Sequence, residues 1–313
     1  VLVQQVRLLA MSERVRVDEV LTSLLNLCTP LEPFDMPLLD AHGATLAEDI
    51  YAGERLVMKA GSRIRSTQIG LAASIGLDHL PTRPHPRVVV ISAGPDLVEP
   101  GLELTGDEEY ETNSWLLTTA VRETGAVAYR VHSIPENEDQ LQNAIEDQLV
   151  RADLIIISGE RHDDSFDLIT RTLQKIGEIT SVEIAIDSSG RHNFGTIGPD
   201  KTPVVTLPGD PIAAYISFEL LVRPMIRTML GASTIHRPAV KARLEKGLTS
   251  TSGVRSYVRA ILSEDGKSVV PLGSQDEQAT LSDANAFIAV PEGEGEVAAG
   301  SEVTVVVLER RYI

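Results

Sequence analysis

Apolar residues at Val17, Val20, Leu21, Leu24, Leu25 and Leu27 recur at three-and-four spacing, which predicts a helix over 17–27. Pro30, Pro33 and Pro37 then extend the chain, because proline lacks an amide hydrogen and biases the residue before it away from helix. A second short helix is expected over 40–48, followed by extended chain over 50–62 with turns at Gly53 and Gly61. Ser66-Thr67-Gln68 opens another helix that runs to Ser74 and stops at Gly76.

From Arg87 the period changes. Val88-Val89-Val90-Ile91-Ser92 is a continuous β-branched run of the kind found in parallel strands buried on both faces. Helices are expected over 113–124, 138–150, 166–176 and 212–230, the first and third stopped by Gly125 and Gly177. Strands are expected over 127–133, 153–158 and 203–207. This alternation predicts a doubly wound α/β domain over 83–232. Ligands of such folds sit beyond the carboxyl ends of the strands, here the loops at Gly94, Gly159 and Gly209. After Gly231 come short alternating segments, 256–260, 286–290 and 303–308, separated by turn clusters such as Asp265-Gly266. Residues 233–313 therefore read as a small β domain, and residues 1–82 as an N-terminal helical and extended one.

Composition narrows the possibilities. Hydrophobic residues make up 42% but aromatics only 4%, so the core must be mostly Val, Ile, Leu and Ala. The 45 acidic against 28 basic residues give a net charge of -17, which disfavours nucleic acid as a partner and makes an anionic substrate harder to attract. The single cysteine, Cys28, follows an apolar run with no activating partner near it, the setting of a buried structural thiol. No CxxC or disulfide framework is available, which suits a reducing cytoplasm. No apolar stretch reaches the ~18 residues of a membrane span, so membrane insertion is not expected. The opening, Val1 to Ala10, lacks a basic segment and a cleavage site and is not read as a signal peptide, and Met11 is a candidate natural start.

The loop ends carry a resemblance. Ile91-Ser92-Ala93-Gly94-Pro95-Asp96-Leu97-Val98-Glu99-Pro100-Gly101 is similar to the STGDELVxPG segment of the MoeA/gephyrin E-domain family. Glu111-Thr112-Asn113-Ser114 resembles that family's DSN motif, Ile157-Ser158-Gly159 the start of its SGGxSxGxxD segment, and Leu207-Pro208-Gly209-Asp210-Pro211 its LPGNP. Residues 281–286 and 291–293 resemble the end of its β-barrel domain, and 52–77 its linker and helix before the central domain. The resemblance implies a MogA-like central domain, and a molybdenumtransferase reaction that places molybdate on adenylylated molybdopterin with Mg²⁺ assisting. It also implies a homodimer. Family members carry an inserted β-rich domain and a PFDNSAMDGYA motif after the first helices. Here Leu46-Ala47-Glu48-Asp49-Ile50 runs straight into Tyr51-Ala52-Gly53-Glu54. Natural loss, engineered deletion and an omitted segment each account for that.

Carried over residue by residue, the resemblance places Gly94, Asn113, Ser158, Gly159, Arg191, Pro208, Gly209 and Asp210 at the cofactor, with Asp96 and Asp167 as candidate catalytic acids and Asp96 as a metal ligand. Both ligands are anionic, so such a pocket needs free backbone N–H groups, cations, and carboxylates for a metal. Pro95 stands where the family has an acid, removing an N–H and a carboxylate together. Asp96 reads as a solvated turn acid more readily than as a metal ligand, and Asp167 equally as the family acid or a helix first-turn carboxylate. Glu160 replaces a cradle glycine and is followed by Arg161-His162-Asp163-Asp164. Asp187 reverses the charge of a family lysine, a loss that Arg191 could offset. His162 and His192 read as solvated loop residues rather than a metal pair, and Tyr257 and Phe287 as core rather than contact residues.

Three functions are compatible with these residues. One is a catalytically degraded dimeric scaffold that grips a short peptide of another protein, one an active transferase with altered loops, and one a protein that binds molybdopterin without transferring metal.

Overall fold

A computed structural model describes residues 14–131, 135–159, 163–187, 190–273 and 277–309. Helix α1 (Val17–Leu25) buries Val17, Val20 and Leu24, the stripe its spacing announces. That stripe packs into one core with Val88 and Val90 of the central sheet and with Met225 and Ile226. Cys28 is buried in the same core, and burial pushes its thiol up to about 12, so it is an inert side chain.

Strands β1 (Phe34–Pro37) and β2 (Thr45–Leu46), the hairpin β3 (Ile50–Ala52) and β4 (Arg55–Met58), helix α2 (Ser66–Ser74) and strand β5 (His79–Arg83) follow. β5 lies between β1 and β2 in a three-stranded sheet. The helix expected over 40–48 is absent. Gly43 adopts φ +91°, a left-handed value that interrupts a helix, and Thr45 and Leu46 pair instead with Arg83 and Thr82. β3 and β4 pair as a two-stranded hairpin. Gly53 turns its tip at φ +62°, and the Ala60 amide donates to Asp49 Oδ1 at 2.7 Å.

The central unit comprises β6 (Arg87–Ser92), the short β7 (Leu97–Val98) and β8 (Glu109–Tyr110), α3 (Asn113–Thr124), β9 (Val127–Arg130), α4 (Glu138–Leu149), β10 (Leu154–Ser158), α5 (Asp163–Ile176), β11 (Gly177–Glu183), β12 (Arg191–Ile197), β13 (Thr202–Leu207), α6 (Pro211–Ser217) and α7 (Arg223–Met229). Its sheet has the order β11-β12-β13-β10-β6-β9. The strands β13, β10, β6 and β9 are parallel, while β12 and β11 run antiparallel at one edge. Val88 to Ile91 and Leu154 to Ile157 are fully buried, each contributing about 1.5–3 kcal/mol relative to exposure. Gly125 stops α3 at φ +103°, as expected. The helix expected over 212–230 is divided by a π-helical turn, Phe218–Val222, just before Pro224. A proline has no N–H for the regular ladder, and the wider register accommodates it.

The remaining elements are β14 (Ala239–Leu244), β15 (Leu248–Thr249), β16 (Ser256–Leu262), β17 (Ser268–Pro271), α8 (Glu277–Asp283), β18 (Ala286–Val290), β19 (Glu296–Val297) and β20 (Glu302–Val307). Five of these strands close a barrel in the order β14-β17-β16-β18-β20. Ala242, Leu244, Ala260, Val269, Ile288 and Val305 fill it. Phe287 faces the central unit instead, edge-on to Tyr215 with ring centroids 6.2 Å apart, and Tyr257 packs partly buried against the same core. Among the described residues, no helix is long and apolar enough to cross a membrane.

Candidate ligand-binding site at the sheet switch point

The chain leaves β6 through α3 toward β9 on one side and returns through α4 to β10 on the other. The carboxyl ends of β6 and β10 are therefore a topological switch point, where connections diverge and leave a crevice. Ser92 and Ser158 end these two strands in direct register.

Asn113, the first residue of α3, spans the crevice. Its Nδ2 donates to Ser158 Oγ at 2.7 Å and to the Gly209 carbonyl at 2.7 Å. Only an N–H can face a carbonyl, so the amide's orientation is fixed. Its Oδ1 then points elsewhere, buried and without a partner. A buried unsatisfied acceptor costs about 1–3 kcal/mol, a cost that an arriving N–H or O–H donor removes. Gly159 closes the cradle, since a Cβ there would lie 2.5 Å from Ser165 Oγ and 3.2 Å from Ile169 Cδ1. Asn113, Ser158, Gly159, Pro208 and Gly209 thus form one contact set.

The other candidates are engaged elsewhere. The Gly94 amide donates to the Pro135 carbonyl at 3.0 Å, so it does not face an oxyanion. Asp96 is exposed on its turn. Asp167 is 57% exposed and pairs with Arg191 at 3.3 Å, while the Arg191 guanidinium stacks 4.3 Å from the Phe166 ring. Asp210 caps α6, its Oδ1 accepting from the Ile212 and Ala213 amides at 3.1 and 2.9 Å. Asp187 turns toward the barrel, accepting from Thr251 and Ser256. His192 is not a solvated loop residue. It is buried in β12 with Nε2 3.1 Å from Ser217 Oγ, and burial holds its imidazole down to about 4. Glu160, Arg161 and His162 lie outside the described residues, as do the side chains of Asp163 and Asp164.

Sequence reasoning missed the charge network beside the crevice. Glu111, 1% exposed, accepts from Ser92 Oγ and the Ser114 amide, both at 2.7 Å, and from Ser114 Oγ at 2.5 Å. Arg130 pairs with both Glu99 and Glu111 and lies 4.3 Å from the Trp115 ring centroid. The register opposing Val90 to Arg130 is what brings this arginine to the end of β6.

These residues do not fit a divalent metal. Among the described residues no group of three or more His, Cys, Asp or Glu could hold one, and Glu111 is already saturated by hydroxyls, an amide and Arg130. They do offer one unmet hydrogen-bonding group, the buried Asn113 Oδ1, which the N–H or O–H of an organic ligand would satisfy.

Two family models match this architecture: residues 90–228 a probable molybdopterin binding domain, and residues 241–308 the MoeA C-terminal region, domain IV. The class is thus a molybdopterin-binding type of α/β unit joined to a barrel. Among the relatives are molybdopterin molybdenumtransferases 1 and 2 of Mycobacterium tuberculosis. The first is 31% identical over 83% of this chain and 63% of its own length, the second 34% identical over 82% and 65%. This chain therefore spans a little under two thirds of the length of these relatives. A molybdopterin biosynthesis MoeA protein from Pyrococcus horikosii superposes with a TM-score of 0.80 over 95% of this chain and 100% of its own, at 20% identity. A molybdenum cofactor biosynthesis protein from Pyrococcus furiosus gives 0.75 over 94% and 100%, at 24% identity. At such identities the likeness concerns the fold. The chain belongs to the MoeA family of molybdenum-cofactor biosynthesis.

Proposed function

We propose that this chain holds a molybdopterin-type ligand at its switch point without transferring molybdenum to it. The observation that carries this reading is Asn113, whose Nδ2 is locked to Ser158 and Gly209 while its Oδ1 is buried without a partner. A pterin ring supplies the N–H donors that this acceptor lacks. Ser158 Oγ donates to the Pro208 carbonyl at 3.2 Å, which ties the 207–211 turn to the end of β10 beside Asn113. The groups that metal insertion would require are engaged in other tasks. Asp210 caps a helix, Arg191 is drawn to Asp167 and Phe166, and Asp187 points toward the barrel. No step is assigned to Mg²⁺, because among the described residues no carboxylate cluster converges to receive it.

A second reading is the catalytically degraded scaffold, a homodimer in the cytoplasm that binds a short peptide of another protein. Leu102, Leu104, Tyr110 and Trp115 favour it, four large apolar side chains 42–60% exposed around the segment leaving β7. The transferase activity in the names of the relatives is the alternative to both. Calorimetric titration with molybdopterin, repeated with molybdate and Mg²⁺, separates the three. Binding that Asn113→Ala weakens, with no molybdenum incorporated, supports the ligand-holding reading. Incorporation of molybdenum overturns it in favour of the transferase. Absence of heat from the folded protein leaves the scaffold, to be tested by its capture of a peptide partner and by its oligomeric state.

A further inference from the structure

At the opposite end of the central sheet, where β6 and β9 begin and α3 and α7 end, a cavity of about 440 Å³ opens toward the N-terminal strands. Arg63, Arg122, Arg223 and Arg227 line it, with His42 and His85, against one carboxylate, Glu123. In a chain of 45 acidic and 28 basic residues, this local excess of cations runs against the composition.

The cations are also poorly neutralised. Among the described residues, the side chains of Arg63 and Arg122 make no ion pair or hydrogen bond. Arg227 Nε donates only to the Thr234 carbonyl, at 3.1 Å. Arg223 reaches Thr124 Oγ1 at 3.3 Å, and its buried Nε has no hydrogen-bond partner. The nearest carboxylate, Glu219, is 3.8 Å from that Nε and is already gripped by Arg237 through two bonds of 2.7 Å. Burial, and then the charge of Arg63, hold Arg227 below the ordinary arginine range.

Complementing helix ends explains only half of this. Arg122 and Arg227 occupy the last turns of α3 and α7, where cations meet the carbonyl end of the dipole. Arg63 lies outside any helix, and Arg223 opens α7 rather than closing it.

We propose that this cavity binds a small phosphate-bearing ligand. Guanidinium forks match phosphate oxygens two at a time, and a volume near 440 Å³ between two structural units is typical of small-molecule sites. Inorganic phosphate and a phosphate monoester share this chemistry.

Titration of the full chain with inorganic phosphate and with glucose 6-phosphate, using glucose as the uncharged control, tests the assignment. Saturable binding of at least one phosphate species is expected, weakened at least about tenfold by Arg63→Ser and by Arg227→Gln and unchanged by Lys241→Ser on the barrel. Binding of inorganic phosphate alone assigns a free-anion site, and preference for the ester assigns a phosphometabolite site. Arg63 is exposed, so Arg63→Ser should fold, and its melting temperature should stay level or rise as like-charge repulsion is relieved. Lack of saturable binding by the folded wild-type chain would overturn the proposal. So would binding that survives Arg63→Ser combined with Arg227→Gln.

Discussion

The two ends of the central sheet treat their cations in opposite ways. At the carboxyl end, Arg130 is held by Glu99 and Glu111, and Arg191 by Asp167. At the amino end, four arginines surround a cavity with one acid among them. At the carboxyl end, the described residues offer a ligand neutral hydrogen-bonding groups, foremost Asn113 Oδ1. Among the described residues, the arginines at the other end have fewer carboxylates around them. The lesson is that the loops of a familiar fold can keep their geometry while their charge is compensated internally.

Removing a cation should therefore have unequal effects. Arg130→Met is expected to cost about 3–5 kcal/mol in urea unfolding, because it leaves Glu111 buried and unpaired, whereas Arg63→Ser should change stability by less than about 0.5 kcal/mol. Equal losses would break the comparison.

Beside the carboxyl end, buried His192 makes stability depend on pH. Its folded value of about 4 lies below the ordinary 6.5, so the unfolded chain takes up the proton first. Stability is retained above about pH 6.5 and declines as pH falls toward 4, by about 3 kcal/mol in all. His192→Gln should flatten that part of the stability profile.

Smaller effects sharpen the picture at the carboxyl end. Gly159→Ala forces a Cβ to within 2.5 Å of Ser165 Oγ, so about 1–3 kcal/mol of stability should be lost in urea unfolding. Asp210→Ala removes a helix cap and should cost about 1 kcal/mol by thermal unfolding. If Asp210 instead governed ligand binding, the substitution would change affinity more than stability.

Much of the fold was legible because its signals are local. The β-branched runs at 88–91 and 154–157 became the buried parallel strands, and Gly76 and Gly125 stopped their helices through positive φ. β11 and β12 escaped notice. Gly177 reads as a helix stop, yet it begins an edge strand whose polar residues give no clean alternation. At the site, Asn113, Ser158 and Gly209 were visible as loop motifs. Glu111 belonged to one of those motifs but its pairing with Arg130 was not visible, since their meeting depends on the register of β9 against β6. The amino-end arginines lie at 63, 122, 223 and 227, too far apart in sequence for any window to join them.

The most direct test is calorimetric titration of wild-type and Asn113→Ala protein with molybdopterin, followed by assay of the complex for molybdenum after adding molybdate and Mg²⁺. Saturable binding is expected, weakened about tenfold or more by loss of the Asn113 amide, with no incorporated metal. Equal affinity for both proteins, or molybdenum carried by the product, would contradict the ligand-holding reading.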